Sequence, residues 1–187
     1  MMDRHKTLTV SHLLIVVALV MALAGSIRPR TGHAQDEITW LLEQINGLRA
    51  GLGLPPYRVN PQLSAAAQQH SQYMADTCDV SHTQANGSTA TTRARANGYT
   101  GNWISENIYG GRGIEAAWNF WINSAIHYRG LTHEVVNEIG IGVAYGSCGQ
   151  GYTLVFGHRD GVTAPAAPAP AAEAAPAAEA DTSPENA

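Results

Sequence analysis

Residues 138–158, EIGIGVAYGSCGQGYTLVFGH, decide how the rest of the chain is read. Segments 138–146 and 152–158 alternate or run apolar, the pattern of strands, and Gly146, Gly149 and Gly151 between them predict a hairpin. Upstream of it the apolar spacing becomes helical. Ile38, Leu41, Leu42, Ile45 and Leu48 line one face of a helix over 37–50, which Gly51, Gly53, Pro55 and Pro56 close. Asn60-Pro61 reads as a cap followed by proline in the first turn, and Leu63, Ala66, Ala67, His70 and Met74 carry a second helix to about Thr77. Ile114, Ala117, Trp118, Trp121 and Ile122 give a third. Between the second and third, residues 79–112 are rich in Gly, Ser, Thr and Asn; they predict mostly loop, with a short helix near Thr91–Asn97. Helices first and strands last make the fold class α+β.

The two ends lie outside this pattern. Residues 13–24, LLIVVALVMALA, are twelve consecutive apolar residues behind Arg4 and Lys6. A bilayer span needs about 20, so the run predicts a secretory signal peptide over 1–34, with Gly32-His33-Ala34 or Ala22-Leu23-Ala24 before the cut. The alternative is an uncleaved anchor, the one route by which a membrane would be a partner. Either reading puts the remainder outside the cytoplasm: secreted, or held at the surface. Residues 161–187 are rich in Ala, Pro and Glu with no aromatic, and they predict a disordered tail. A single domain over 35–160 remains.

Composition excludes several functions. The net charge of −4 gives no electrostatic reason to bind nucleic acid. There is no CxxC, P-loop, dinucleotide fingerprint or Gly-x-Ser-x-Gly elbow. His133-Glu134-Val135-Val136-Asn137 misses the zinc-protease motif, since Asn137 stands where a second imidazole is needed. Cys78 and Cys148 form one possible disulfide in an exported domain. Of the domain's histidines, His70 falls on the apolar face of the second helix and reads as a core-edge residue, while His158, after a strand, reads as exposed. Ser124 and His127 stand three apart at a helix end, which puts a hydroxyl and an imidazole on one face but names no third, orienting group.

Five stretches, taken in order, resemble the CAP superfamily, the SCP-like cysteine-rich secretory, antigen and pathogenesis-related proteins, in particular its short bacterial branch. They are Ile45-Asn46-Gly47-Leu48-Arg49 with Gly53-Leu54-Pro55-Pro56; Ser81-His82-Thr83; Ser105-Glu106-Asn107-Ile108; Trp121 through His127; and Glu138 through Val143 with Tyr152 through Gly157. The resemblance implies an α-β-α sandwich, a small antiparallel sheet between helical layers. It also implies a cleft: His82 and His127 match the family's two histidines, Glu106 matches its acid, and Ser124 stands where larger members carry a second acid. Family members hold a divalent ion, commonly zinc, through the two histidines. His82 and His127 are therefore the expected metal ligands, with zinc the expected cofactor and not one needed for folding.

Three functions follow as expectations. The first is a secreted, non-catalytic binding module whose cleft holds a divalent metal or a small apolar ligand, with Trp103, Trp118, Trp121, Tyr99 and Tyr109 as candidate lining and a cell-surface component as the other candidate partner. The second is a hydrolase using His127 and Glu106 with Ser124 or a metal-bound water. The third is a structural or adhesive surface domain. The binding module is favoured, because neither a defined nucleophile nor an oxyanion hole is legible.

Overall fold

A computed structural model of the chain describes residues 31–162. The apolar run at 13–24 and the segment beyond Val162 lie outside the described residues, as do the predictions made for them. Nine elements follow in order: α1 (Thr31–Gly51), β1 (Arg58–Val59), α2 (Pro61–Thr77), α3 (Ala90–Ala96), β2 (Trp103–Gly111), α4 (Ile114–Ile122), α5 (Ala125–Leu131), β3 (Glu138–Gly146) and β4 (Gly149–His158). The sheet runs β1-β3-β4-β2. Its three long strands are antiparallel, and the two-residue β1 adds a parallel edge beside β3. The sheet is therefore mixed, where the sequence reading held only antiparallel strands.

The α+β sandwich follows from the alternation in β3. Ile139, Ile141 and Val143 face α1 and α4, where they join Leu41, Ile45, Ala117, Trp121, Leu154 and Phe156 in the larger core. The alternate positions Gly140, Gly142, Ala144 and Gly146 face α2. Small residues there let the helix backbone lie directly on the sheet: a Cβ at Gly140 would overlap the Leu63 carbonyl, and one at Gly142 that of Ala67. The second core, on this face, is Leu63, Ala66, Ala67, Ala94, Tyr99 and Val155.

Helix α2 is capped as expected. Asn60 Oδ1 accepts from the Gln62 and Leu63 amides, each at 3.0 Å. At its other end Cys78 is the left-handed C-cap residue, with φ 61°. Cys78 is bonded to Cys148 in the two-residue turn of the β3–β4 hairpin, so the disulfide ties the helix end to the hairpin tip across 70 residues of sequence. Cross-linking so long a loop restricts the unfolded chain.

Two further expectations are corrected. Residues 103–111, placed in a mostly-loop span, form the nine-residue strand β2. The polar run Ser105-Glu106-Asn107 hides the strand's alternation because those side chains serve the site and not the core. Helix α1 also begins at Thr31, ahead of the expected start at 37. Among the described residues no helix is long and apolar enough to cross a membrane.

Candidate functional site

The site gathers at β2. Even-numbered β2 side chains turn toward α2 and α3, so Glu106 enters a buried space already holding Arg93 of α3 and His70 of α2. The Glu106 side chain is 2% exposed and Arg93 is 4% exposed. Arg93 donates to Glu106 Oε2 at 2.7 Å and to the Ser88 carbonyl at 2.9 Å. Glu106 Oε1 accepts from His82 Nδ1 at 2.9 Å. One carboxylate thus joins a buried guanidinium on one side to an exposed imidazole on the other. It fixes His82 with Nε2 turned outward.

His70 is fully buried, and its Nε2 lies 3.8 Å from Glu106 Oε1 with no hydrogen-bond partner. Its Nδ1 meets Gln84 Nε2 at 3.1 Å, and Ser88 Oγ donates to Gln84 Oε1, so the amide is oriented as a donor and the Nε2–H tautomer faces the carboxylate. Burial lowers the His70 pKa first of all; Glu106 pulls it up, and Arg93 and His82 push it down. His70 is neutral in the folded chain, while an unfolded imidazole takes up a proton below about 6.5. The unfolded state therefore binds more protons as the pH falls through that value, and stability present above it is lost toward the lower folded pKa. Thermal melts should show the midpoint falling between pH 7 and pH 5, and His70→Gln should flatten that slope. An unchanged slope would remove His70 from the account.

His127 reaches the cleft from α5, on the opposite side of β2. Its Nδ1 lies 2.8 Å from Ser124 Oγ, which leaves Nε2 free. Burial lowers its pKa, and His82 adds to that. Asn107, an odd-numbered β2 residue, donates to the His127 carbonyl at 2.8 Å and so ties α5 to the strand. The far wall is held by Arg49, which is 1% exposed. Its guanidinium lies 3.7 Å over the Tyr57 ring and donates to the Leu131 and His133 carbonyls at 3.2 and 3.1 Å. Tyr57 donates to the Gly130 carbonyl at 2.7 Å; burial pushes its phenol up to about 12, so it keeps that proton at neutral pH.

The result is an open cleft of about 320 Å³ bordered by His82, Ser105, Glu106, His127, Arg129 and His133, with Trp103 and Ile126 on its rim. Of the predicted site residues, His82, Glu106 and His127 come together around it. Ser124 does not line it and instead orients His127 from behind. Trp103 lines the cleft and Tyr109 a neighbouring hollow, whereas Trp121 and Tyr99 are core residues. His70, read as a core-edge residue, is the buried neighbour of Glu106, and His133 of the failed zinc motif lines the cleft; Arg93 and Arg129 were not anticipated. His158, expected to be exposed, is half-buried and bonded to the Val135 carbonyl at 2.7 Å.

The donor set bears on the zinc expectation. His82 and His127 each offer one free Nε2, with Glu106 and Ser124 behind them as orienting partners. A catalytic zinc takes three protein ligands and a structural one four. Among the described residues no group of three or more His, Cys, Asp or Glu is placed to hold a metal. Two imidazoles fall short of the three protein ligands of a catalytic zinc site.

The sequence profile of the cysteine-rich secretory protein (CAP) family matches residues 42–157. The fold is similar to an outer surface protein of Borrelia burgdorferi, at 22% identity and TM-score 0.62 over 66% of this chain and 93% of that one. It is also similar to an extracellular SCP-domain protein of Bacillus anthracis, at 24% identity and TM-score 0.59 over 69% of this chain and 41% of that one. A third is a cysteine-rich secretory protein of Staphylococcus aureus, at 22% identity and TM-score 0.52 over 67% and 39% respectively. The chain thus spans about two fifths of the latter two proteins. No curated protein matches the sequence.

Proposed function

Because the chain belongs to the cysteine-rich secretory protein (CAP) family, we propose that it is an exported, non-catalytic binding module whose cleft at His82, Glu106 and His127 holds a small ligand. The observation that carries this reading is the state of Glu106. Both its oxygens are engaged, one by Arg93 and one by His82. A carboxylate held between a buried guanidinium and an imidazole is a fixed acceptor. It serves to hold His82 in place, as Ser124 holds His127, and the two Nε2 atoms become oriented hydrogen-bonding groups in an open cleft. Export agrees with the basic start and short apolar run of residues 1–24, with the disulfide, and with relatives described as outer surface and extracellular proteins.

The hydrolase reading has one observation in its favour, the 2.8 Å contact between Ser124 and His127. It lacks a carboxylate behind the imidazole, and Ser124 does not open onto the cleft. Zinc enters only as a loosely held ion completed by water or by the ligand.

A fragment screen by ligand-observed NMR, on the wild type and on Ser105→Trp, tests the proposal. Ser105 borders the cleft, and an indole there fills it. Fragments should bind the wild type and lose binding in the variant. Hits indifferent to Ser105→Trp, or peptide or ester hydrolysis that vanishes in Ser124→Ala, would overturn the reading.

A further inference from the structure

Strand β2 is the last strand on its side of the sheet. All nine of its residues are in register with β4, and in an antiparallel ladder alternate residues turn their backbone N–H and C=O groups away from the partner strand. The Trp121 indole, donating to the Ile108 carbonyl at 3.1 Å, marks the even-numbered residues as those turned away and covers the edge at Ile108. Among the described residues, no other hydrogen bond outside the ladder reaches the backbone of Ile104, Glu106, Ile108 or Gly110. At Glu106 the side chain is 2% exposed while the residue as a whole is half-buried, so the part that meets solvent is main chain. Ile108 is buried with its carbonyl taken, so the open main chain lies on either side of it, at Ile104 and Glu106 and at Gly110, and an unpaired strand edge is a template for another strand.

The cleft and a second hollow lie end to end along this edge. The cleft borders Trp103, Ser105, Glu106 and Asn107; the hollow, of about 370 Å³, borders Ile108, Tyr109 and Gly110, and both share His82 and His127. Their chemistry differs. The hollow is walled by Val80, 50% exposed, and Phe120, 46% exposed. The cleft carries Arg129 and His133, and Arg129 makes no ion pair or side-chain hydrogen bond among the described residues. The one acid on either lining, Glu106, is already held by Arg93 and His82.

We infer that the groove binds an extended peptide, which pairs with the free edge of β2 as an added strand and sets an acidic side chain at Arg129 and an apolar one between Val80 and Phe120. Resting on the binding reading above, this names the ligand class. Main-chain pairing supplies affinity and the two end pockets supply selectivity. Ser105 and Tyr109, one at each hollow, are four residues apart, or about 13 Å of strand, so the acidic and apolar residues of the peptide stand four apart. The chain's own acidic segment beyond Val162 is a poor occupant, because Pro165, Pro168 and Pro170 have no N–H for the ladder.

The test uses two dye-labelled peptides, acetyl-Phe-Thr-Val-Thr-Glu-amide and the reversed order acetyl-Glu-Thr-Val-Thr-Phe-amide, read by fluorescence anisotropy on the full chain. One order should bind. N-methylating the backbone amides that face β2 should weaken it about tenfold or more, and N-methylating the alternate amides should not. Arg129→Glu, an exposed change, should weaken it similarly, and replacing the peptide's Glu by Lys should restore binding to that variant. Equal binding by all N-methylated forms would overturn strand pairing and leave the binding module standing. No saturation by either order up to about 1 mM would overturn the inference, and a simultaneous failure of the fragment screen would overturn the binding reading with it.

Discussion

Glu106→Ala should cost the chain about 3–5 kcal/mol of stability, the range for removing one partner of a buried ion pair. Arg93 is 4% exposed and cannot reach water when its carboxylate is taken away. It retains the Ser88 carbonyl at 2.9 Å and the His82 carbonyl at 3.4 Å, while its Nε already has no partner. A guanidinium left with two carbonyls and no counter-charge pays much of its desolvation cost. Glu106→Gln keeps the shape and one acceptor and should lose less, about 1.5–3 kcal/mol, the scale of hydrogen bonds to charged groups. The double variant Arg93→Met with Glu106→Leu should recover most of the loss, because well-packed apolar residues replace buried ion pairs at little cost. That double variant also separates stability from function. It folds, but it no longer holds His82, so it should lose cleft ligands. Urea titration monitored by circular dichroism reads all three. A loss below about 1 kcal/mol in Glu106→Ala, the scale of an exposed pair, would mean that the carboxylate is not the centre of the site.

Glu106 also shows how far the site was legible in the sequence. Its position, with those of His82 and His127, came from matching ordered stretches to a family, and the structure brings these three together at one cleft. What no local pattern carried is the set of groups that act on them from elsewhere in the chain. Arg93 belongs to a seven-residue helix in a Gly- and Ser-rich span, and nothing in its neighbours marks it as buried. His70 lies on an apolar helix face, where a packing residue and a carboxylate neighbour look alike; its pairing with Glu106 exists only once α2 and β2 share a sheet face. Strand β2 was missed for the same reason that it matters. Its Ser-Glu-Asn run spends side chains on the cleft, so the period-2 signal that marked β3 and β4 is broken there. Helices α1 and α2 were readable because their signals are local: the Asn60 cap, the spacing of Leu63 through Met74, and the Gly and Pro residues that follow Leu48.

Gly142→Val should abolish folding or cost more than about 4–5 kcal/mol, the exceptional tail of single substitutions. The argument is one of distance between backbones. Helix α2 lies on β3 closely enough that a Cβ at Gly142 meets the carbonyl carbon of Ala67 and the amide of Gln68. These are main-chain atoms, so no rotamer change relieves the overlap. The contact is also bolted: Ser71 Oγ donates to the Gly142 carbonyl at 2.9 Å, Gln68 Nε2 donates to the Val143 carbonyl at 2.9 Å, and the Val143 amide donates back to Gln68 Oε1 at 3.1 Å. Moving the helix outward breaks these three bonds and opens the core formed by Leu63, Ala66 and Val155. Gly47→Ala is the control. Gly47 is exposed in α1 with nothing near its would-be Cβ, and alanine there should be stabilising by up to about 1 kcal/mol through helix propensity. Thermal melts by circular dichroism compare the two, and a Gly142→Val chain melting within a few degrees of wild type would refute the close approach. The consequence reaches the site, because α2 also carries His70 behind Glu106. Lifting the helix to admit a side chain at Gly142 would withdraw the buried wall against which the Glu106 carboxylate is held, so in this fold the small residues of β3 are a condition for the cleft as well as for the core.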